Sequence, residues 1–142
     1  MASVDVTRIL GSPWVQGGQD PETGMDCAGV VLWVFRELGL DREAMPCFPS
    51  TTENVTPDQL RETANKWHEL HLSAKFRVGD VILSQLPNNG PPHVSVVVQD
   101  SPCMVATSVE RSGVVIHPPS RINSPAGVYR WPAAAALVGA PC

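Results

Sequence analysis

With 142 residues, 43% of them hydrophobic, the chain is long enough to close one core and too short for two ordinary domains, so a single domain over 1–142 is expected. Its formal net charge of −4 and its scattered Lys and Arg exclude the basic stripe of a nucleic-acid binder. No apolar stretch approaches the roughly 20 residues of a membrane span, and Met1-Ala2-Ser3-Val4-Asp5 lacks the basic region and apolar run of a secretory signal.

Val4 to Leu10 reads as a short helix stopped by Gly11-Ser12-Pro13. From Gly11 to Gly24, four glycines and two prolines call for turns and close backbone approach, a shaped loop rather than regular structure. Asp26 is a good N-cap for the helix that follows, where Val30, Val31, Val34, Phe35 and Leu38 share one face and Gly39 supplies a stop. Cys27 therefore falls in the first turn. There unpaired backbone N–H groups and the positive end of the macrodipole favour thiolate over thiol, which makes Cys27 the candidate nucleophile.

The stretch from Asp41 to Val55 is irregular. Thr56-Pro57-Asp58-Gln59 has the order of N-cap, N1 proline and acidic first turn, and opens a predicted helix through Leu60, Ala64 and Trp67 to about Leu70. Periodicity leaves Trp33 and Trp67 either in the core or at an interface. After Gly79-Asp80, a turn into a strand, the texture changes to short β-branched runs: Val81 to Leu83, His93 to Gln99, Met104 to Val109, Val114 to Ile116 and Val128 to Trp131. Turn residues separate them, which predicts an antiparallel meander or small barrel, and Ala133 to Val138 reads as a terminal helical turn. Helices first and strands afterwards indicate an α+β domain.

Four cysteines, Cys27, Cys47, Cys103 and Cys142, are irregularly spaced with no CxxC, the pattern of free thiols made in a reducing compartment. The last three read as small and mostly buried hydrophobes. His68 and His71 lack the companions of a zinc site and read as solvated. No cofactor or metal is expected.

Four segments, Gly11-Ser12-Pro13-Trp14-Val15-Gln16-Gly17-Gly18, Asp26-Cys27-Ala28-Gly29-Val30-Val31, Gly79-Asp80-Val81-Ile82-Leu83 and His93-Val94-Ser95-Val96-Val97-Val98, follow one another at spacings that span the chain. In this order they resemble the NlpC/P60 family of papain-like cysteine peptidases, many of which cut peptide stems of peptidoglycan. The resemblance implies N-terminal helices packed on an antiparallel sheet or small partly open barrel, with Cys27 attacking a scissile carbonyl and His93 moving the proton. It places Trp14 where relatives commonly carry a tyrosine facing the oxyanion region, with Asp26 beside it at the pocket. The third polar residue, usually His, Asn or Gln, falls on Ala106 or, with a shift of one, on Thr107; His117 on the next strand is the substitute, and Thr107 is slightly favoured. Asp26 is a cap first, and its carboxylate is expected to face the backbone.

The function implied is cleavage of peptide or amide bonds in peptidoglycan stem peptides, in a phage or phage-like tail component made in the cytoplasm and acting at the envelope beside other tail proteins. Two alternatives stand beside it. One is a weakened or inactive domain with a structural role in a tail assembly, and the other is an amidase or acyltransferase on a non-wall substrate.

Overall fold

The computed structural model describes residues 3–46, 66–84, 93–122 and 125–138. Two short strands, β1 (Gln19–Asp20) and β2 (Gly24–Met25), pair as a small hairpin ahead of helix α1 (Cys27–Glu37). Strands β3 (His68–Leu70), β4 (Val81–Ser84), β5 (His93–Asp100), β6 (Cys103–Val109), β7 (Gly113–His117) and β8 (Pro125–Arg130) follow, and helix α2 (Pro132–Val138) comes last. Strands β3 to β8 make one antiparallel sheet in the order β3-β8-β4-β5-β6-β7. The meander expected from the turn signals is β4 to β7. Among the described residues the sheet stays open with β3 and β7 at its edges, so the barrel alternative is replaced by an open sheet.

Helix α1 forms where capping and periodicity place it. Asp26 accepts the Gly29 N–H at 2.7 Å, and at the other end Gly39 (φ 97°) donates to Arg36 O at 2.9 Å while Leu40 donates to Phe35 O at 3.1 Å. That pair of bonds is a Schellman stop, which needs a left-handed residue at Gly39. The helix buries Val30, Val31, Val34 and Phe35 against Val94, Val96, Ala106 and Val114 of the sheet. Alternation along β5 and β6 sends Val97 and Val105 to the opposite face, into a second core with Ile82 and Val128. His93 and Thr107 share that second face, two residues from Ser95 and Val105 respectively. Both faces of the sheet are thus covered, which is why the strands read as nearly continuous apolar runs.

Two expectations are corrected. Val4 to Leu10 is not a helix: Val4 N–H donates to Val98 O at 2.8 Å, and the Asp5 carboxylate takes the Thr7 N–H and hydroxyl at 3.0 and 2.7 Å, leaving a single turn that buries Val6 and Ile9. The Asp side chain competes with helical bonds, and the sheet supplies a better partner for the backbone. His68 to Leu70 is strand rather than the end of a helix, because Val128 to Arg130 of β8 offers it a ladder; the start of that predicted helix lies outside the described residues. His68 and His71 are exposed as expected. Cys103 is partly buried against the second core, and Cys47 and Cys142 lie outside the described residues.

Trp33 and Trp67 both lie in the core. Trp67 stands 5.9 Å from Phe35 and 4.9 Å from Trp131, ring centre to ring centre, and the Trp131 indole N–H donates to Ala44 O at 2.9 Å. Asp80, 1% exposed, receives Arg130 Nε and Nη2 and the Arg77 N–H, each at 2.8 Å. This fork ties the turn before β4 to β8, and it gives Asp80 the structural role its turn context predicts.

Candidate active site

The site begins in the loop before α1. Gly11, with φ 81°, donates to Val114 O while Val114 donates to Ser12 O, the bond pattern of a bulge with a left-handed glycine, and this docks the loop on the free edge of β7. The Ser12 hydroxyl donates to Pro21 O at 2.6 Å, and Met25 N–H to Pro13 O at 2.9 Å. Trp14, half-buried, is carried on the segment between these anchors.

Asp26 joins this loop to the helix. One carboxylate oxygen takes the Gly29 N–H at 2.7 Å and the other the Gly17 N–H at 2.8 Å, while Asp26 N–H donates to Gly18 O at 3.1 Å. The carboxylate thus faces backbone amides, and Asp26 stands beside Cys27 as cap and loop anchor. Ser108, buried on β6, donates its hydroxyl to Met25 O at 2.7 Å and pins the helix start to the sheet. Nothing in the sequence singles out Ser108 beyond a small hydroxyl among β-branched neighbours.

Cys27 is buried at the N-terminus of α1, and the Val94 N–H as well as those of Cys27 and Ala28 favour its anionic form. The Val94 amide brings the start of β5 to the cysteine, and His93 is the residue before it in that strand. Thr107 Oγ1 lies 2.7 Å from both His93 Nε2 and Val94 O. A carbonyl only accepts, so the single hydroxyl proton goes to Val94 O. The same oxygen must then accept from His93, which puts the ring hydrogen on Nε2 and leaves the lone pair on Nδ1. A threonine can fix the tautomer here because β5 and β6 bring its hydroxyl within direct reach. His117 makes no such bond: its Nδ1 donates to Pro118 O at 2.8 Å.

Burial pushes the Cys27 thiol above its ordinary value, with the Asp26 charge acting the same way and the three amides opposing. Burial also pulls His93 below its ordinary value, with His117 adding to the effect. Near neutral pH both shifts favour the uncharged forms, a thiol at Cys27 and an imidazole at His93. The helix N-terminus does favour thiolate as the sequence indicates, but desolvation outweighs it.

A pH window for stability follows. Unfolded His93 gains a proton below its ordinary 6.5, whereas the folded ring resists until lower pH, so stability falls as pH drops through that region. Unfolded Cys27 loses its proton above its ordinary 9.0 while the folded thiol keeps it, so stability falls again as pH rises past there. Denaturant midpoints measured across this range should show both limbs, with His93→Gln flattening the acid one and Cys27→Ala the alkaline one.

Among the described residues no group of three or more His, Cys, Asp or Glu could hold a metal ion, and no helix is long and apolar enough to cross a membrane.

Comparison with known proteins bears on the family and the fold. A stretch of 36 residues, 25% of the chain, is 50% identical to the bifunctional muramidase/DL-endopeptidase CwlT of Bacillus subtilis (strain 168). The fold matches the crystal structure of a protein of the NLP/P60 family, titled as similar to lipoprotein, from Staphylococcus aureus subsp. aureus Mu50, with TM-score 0.56 and 21% identity over 88% of this chain. The match covers 11% of the length of the curated relative and 38% of the solved one. The NlpC/P60 family model matches residues 11–125, from the loop that docks on β7 to the first residue of β8, and the chain belongs to the NlpC/P60 family.

Proposed function

We propose that this chain is a cysteine endopeptidase or amidase that cuts peptide or amide bonds in peptidoglycan stem peptides. The observation that carries the reading is the bond from His93 Nε2 to Thr107, which leaves Nδ1 as the base, together with the Val94 amide directed at the Cys27 sulfur. Family membership and the DL-endopeptidase activity named for CwlT support the substrate class.

In this mechanism Cys27 Sγ attacks the scissile carbonyl carbon as its proton passes to His93 Nδ1. The oxyanion forms near the Cys27 N–H at the helix start, where donors and dipole favour negative charge. Collapse of the tetrahedral species breaks the C–N bond, and His93 gives the proton to the leaving amine. Water, deprotonated by the same nitrogen, then releases the acyl group and restores the thiol. Thr107 is a positioning residue that holds the ring. Uncharged resting forms do not block this course, since proton transfer can accompany attack.

A second reading, a catalytically weakened domain with a structural role in a phage or phage-like tail, is favoured by the burial that raises the Cys27 thiol. The two readings separate on incubation with stem-peptide fragments followed by mass spectrometry. Hydrolysis is expected to release a new amine and carboxylate, and quenched samples should carry the acyl fragment on the peptide containing Cys27. Intact fragments and an unmodified Cys27 would overturn the peptidase reading in favour of the structural one. Cleavage confined to amides outside the wall would point to the non-wall amidase instead.

A further inference from the structure

We propose that Ser108 is a positioning residue for this reaction, holding the start of α1 so that the Cys27 thiol meets His93. The role rests on the reading of Cys27 and His93 as nucleophile and base.

Consecutive residues of a strand face opposite sides of a sheet, and β6 uses this at Thr107 and Ser108, both buried. Toward one side the Thr107 hydroxyl lies 2.7 Å from His93 Nε2 and donates to Val94 O at 2.7 Å. Toward the other the Ser108 hydroxyl donates to Met25 O at 2.7 Å. In the ladder with β7 Ser108 stands opposite Val114, which is buried in the core under α1, so the serine shares the face on which the helix lies. Met25 is two residues before Cys27 and directly precedes the cap Asp26. The Val94 N–H in turn is directed at the Cys27 sulfur. These bonds close a circuit that runs from Ser108 to Met25, along the chain to Cys27, across to Val94 and back to Thr107, the neighbour of Ser108. One strand thereby references both the thiol and the ring that takes its proton.

The loop before the helix leans on the same cross-strand pair. At its beginning Gly11 N–H donates to Val114 O at 3.1 Å and Val114 N–H to Ser12 O at 2.9 Å, and a β-carbon at Gly113 would press into Ser12 O, so the loop lies against β7 without slack. At its end Met25, fully buried, donates its N–H to Pro13 O at 2.9 Å while its carbonyl takes the Ser108 proton. The beginning is held by backbone and the end by one hydroxyl. The Ser108 bond is the link that a side-chain substitution removes. An alanine there takes a donor away from a buried carbonyl, and the helix start is then free to move toward another partner. Attack and proton transfer demand close placement, and a misplacement of about 1 Å costs on the order of 10²-fold in rate. Ser108 itself lies under the helix and out of reach of a stem peptide, so substrate binding should be spared.

The test measures how strongly Cys27 alkylation by iodoacetamide depends on His93 at neutral pH, with the adduct located by mass spectrometry. In the wild-type background His93→Gln should slow alkylation by about tenfold or more, the mark of an engaged base. In the Ser108→Ala background the same change should cost no more than about threefold, because the thiol no longer meets the ring. With stem-peptide fragments Ser108→Ala should lower kcat by about tenfold or more and leave KM within about twofold. A serine that serves stability alone would lower the denaturant midpoint and leave the His93 dependence intact. Val128→Ala, a truncation in the second core, supplies that comparison and should keep the full dependence. Ser108→Cys, of similar shape with a weaker donor, is held to the same criterion where the alanine variant does not fold. A His93 dependence above about threefold in the Ser108 variant, or an equal loss of it in Val128→Ala, overturns the proposal. Indifference of the wild-type thiol to His93→Gln is a separate result, which removes the base and with it the reading on which the role rests.

Discussion

Cys27→Ala and His93→Ala should each lower kcat/KM for stem-peptide cleavage by about 10³-fold or more, and the double variant should be no slower than the slower single one. The non-additivity is the informative part. A nucleophile and the base that takes its proton act as one unit, so removing either removes nearly the whole contribution of both. Independent roles would instead multiply the two losses. Denaturant midpoints near the wild-type value are needed alongside the kinetics, because Cys27 is buried at the start of α1 and His93 is half-buried on β5. Equal stability with two losses that multiply would refute the pair, and retention of full activity by Cys27→Ala would refute the nucleophile.

The second large effect falls on a residue that touches no substrate. Gly29→Ala should destabilise the protein by about 3 kcal/mol or more and take the activity with it. Alanine is the better helix former by about 1 kcal/mol, so propensity alone predicts a gain. Space decides otherwise: a β-carbon at Gly29 would press into the Gly18 carbonyl oxygen and lie 3.2 Å from Asp26 Oδ1. The first contact is with backbone, which cannot rotate away. Gly18 O also accepts the Asp26 N–H, and the Asp26 carboxylate holds Gly17, so relief requires moving the loop that carries Trp14. Thermal unfolding and stem-peptide cleavage measured on the same sample check both halves; a variant as stable as wild type would show that the loop yields at little cost.

Much of the architecture is legible from local pattern. The helix from Cys27, its Asp26 cap and its stop at Gly39 follow from a few neighbouring residues, since capping and a single apolar face are local properties. The five strands after Gly79 follow from β-branched runs set apart by turn residues. What fails is also local in origin. Val4 to Leu10 has helical spacing but lies against the sheet as a turn, and His68 to Leu70 continues a predicted helix yet pairs with β8. In both places a distant strand offers backbone bonds that no sequence window contains.

The candidate site divides the same way. Residue types, order and spacing place Cys27 at the head of a helix and His93 at the head of a strand, and the family resemblance leaves Thr107 and His117 as candidates for the third position. Which of the two meets His93 depends on tertiary structure. Pairing of β5 with β6 brings the Thr107 hydroxyl to 2.7 Å from His93 Nε2, and pairing of β6 with β7 leaves His117 one diagonal step away with its Nδ1 turned to its own chain. Tertiary structure likewise sets the charge state that each member of the pair favours. A helix N-terminus is visible in sequence and favours thiolate, but the water taken from Cys27 and His93 by packing is not visible there, and desolvation, acting over the whole neighbourhood of each group, outweighs the local dipole.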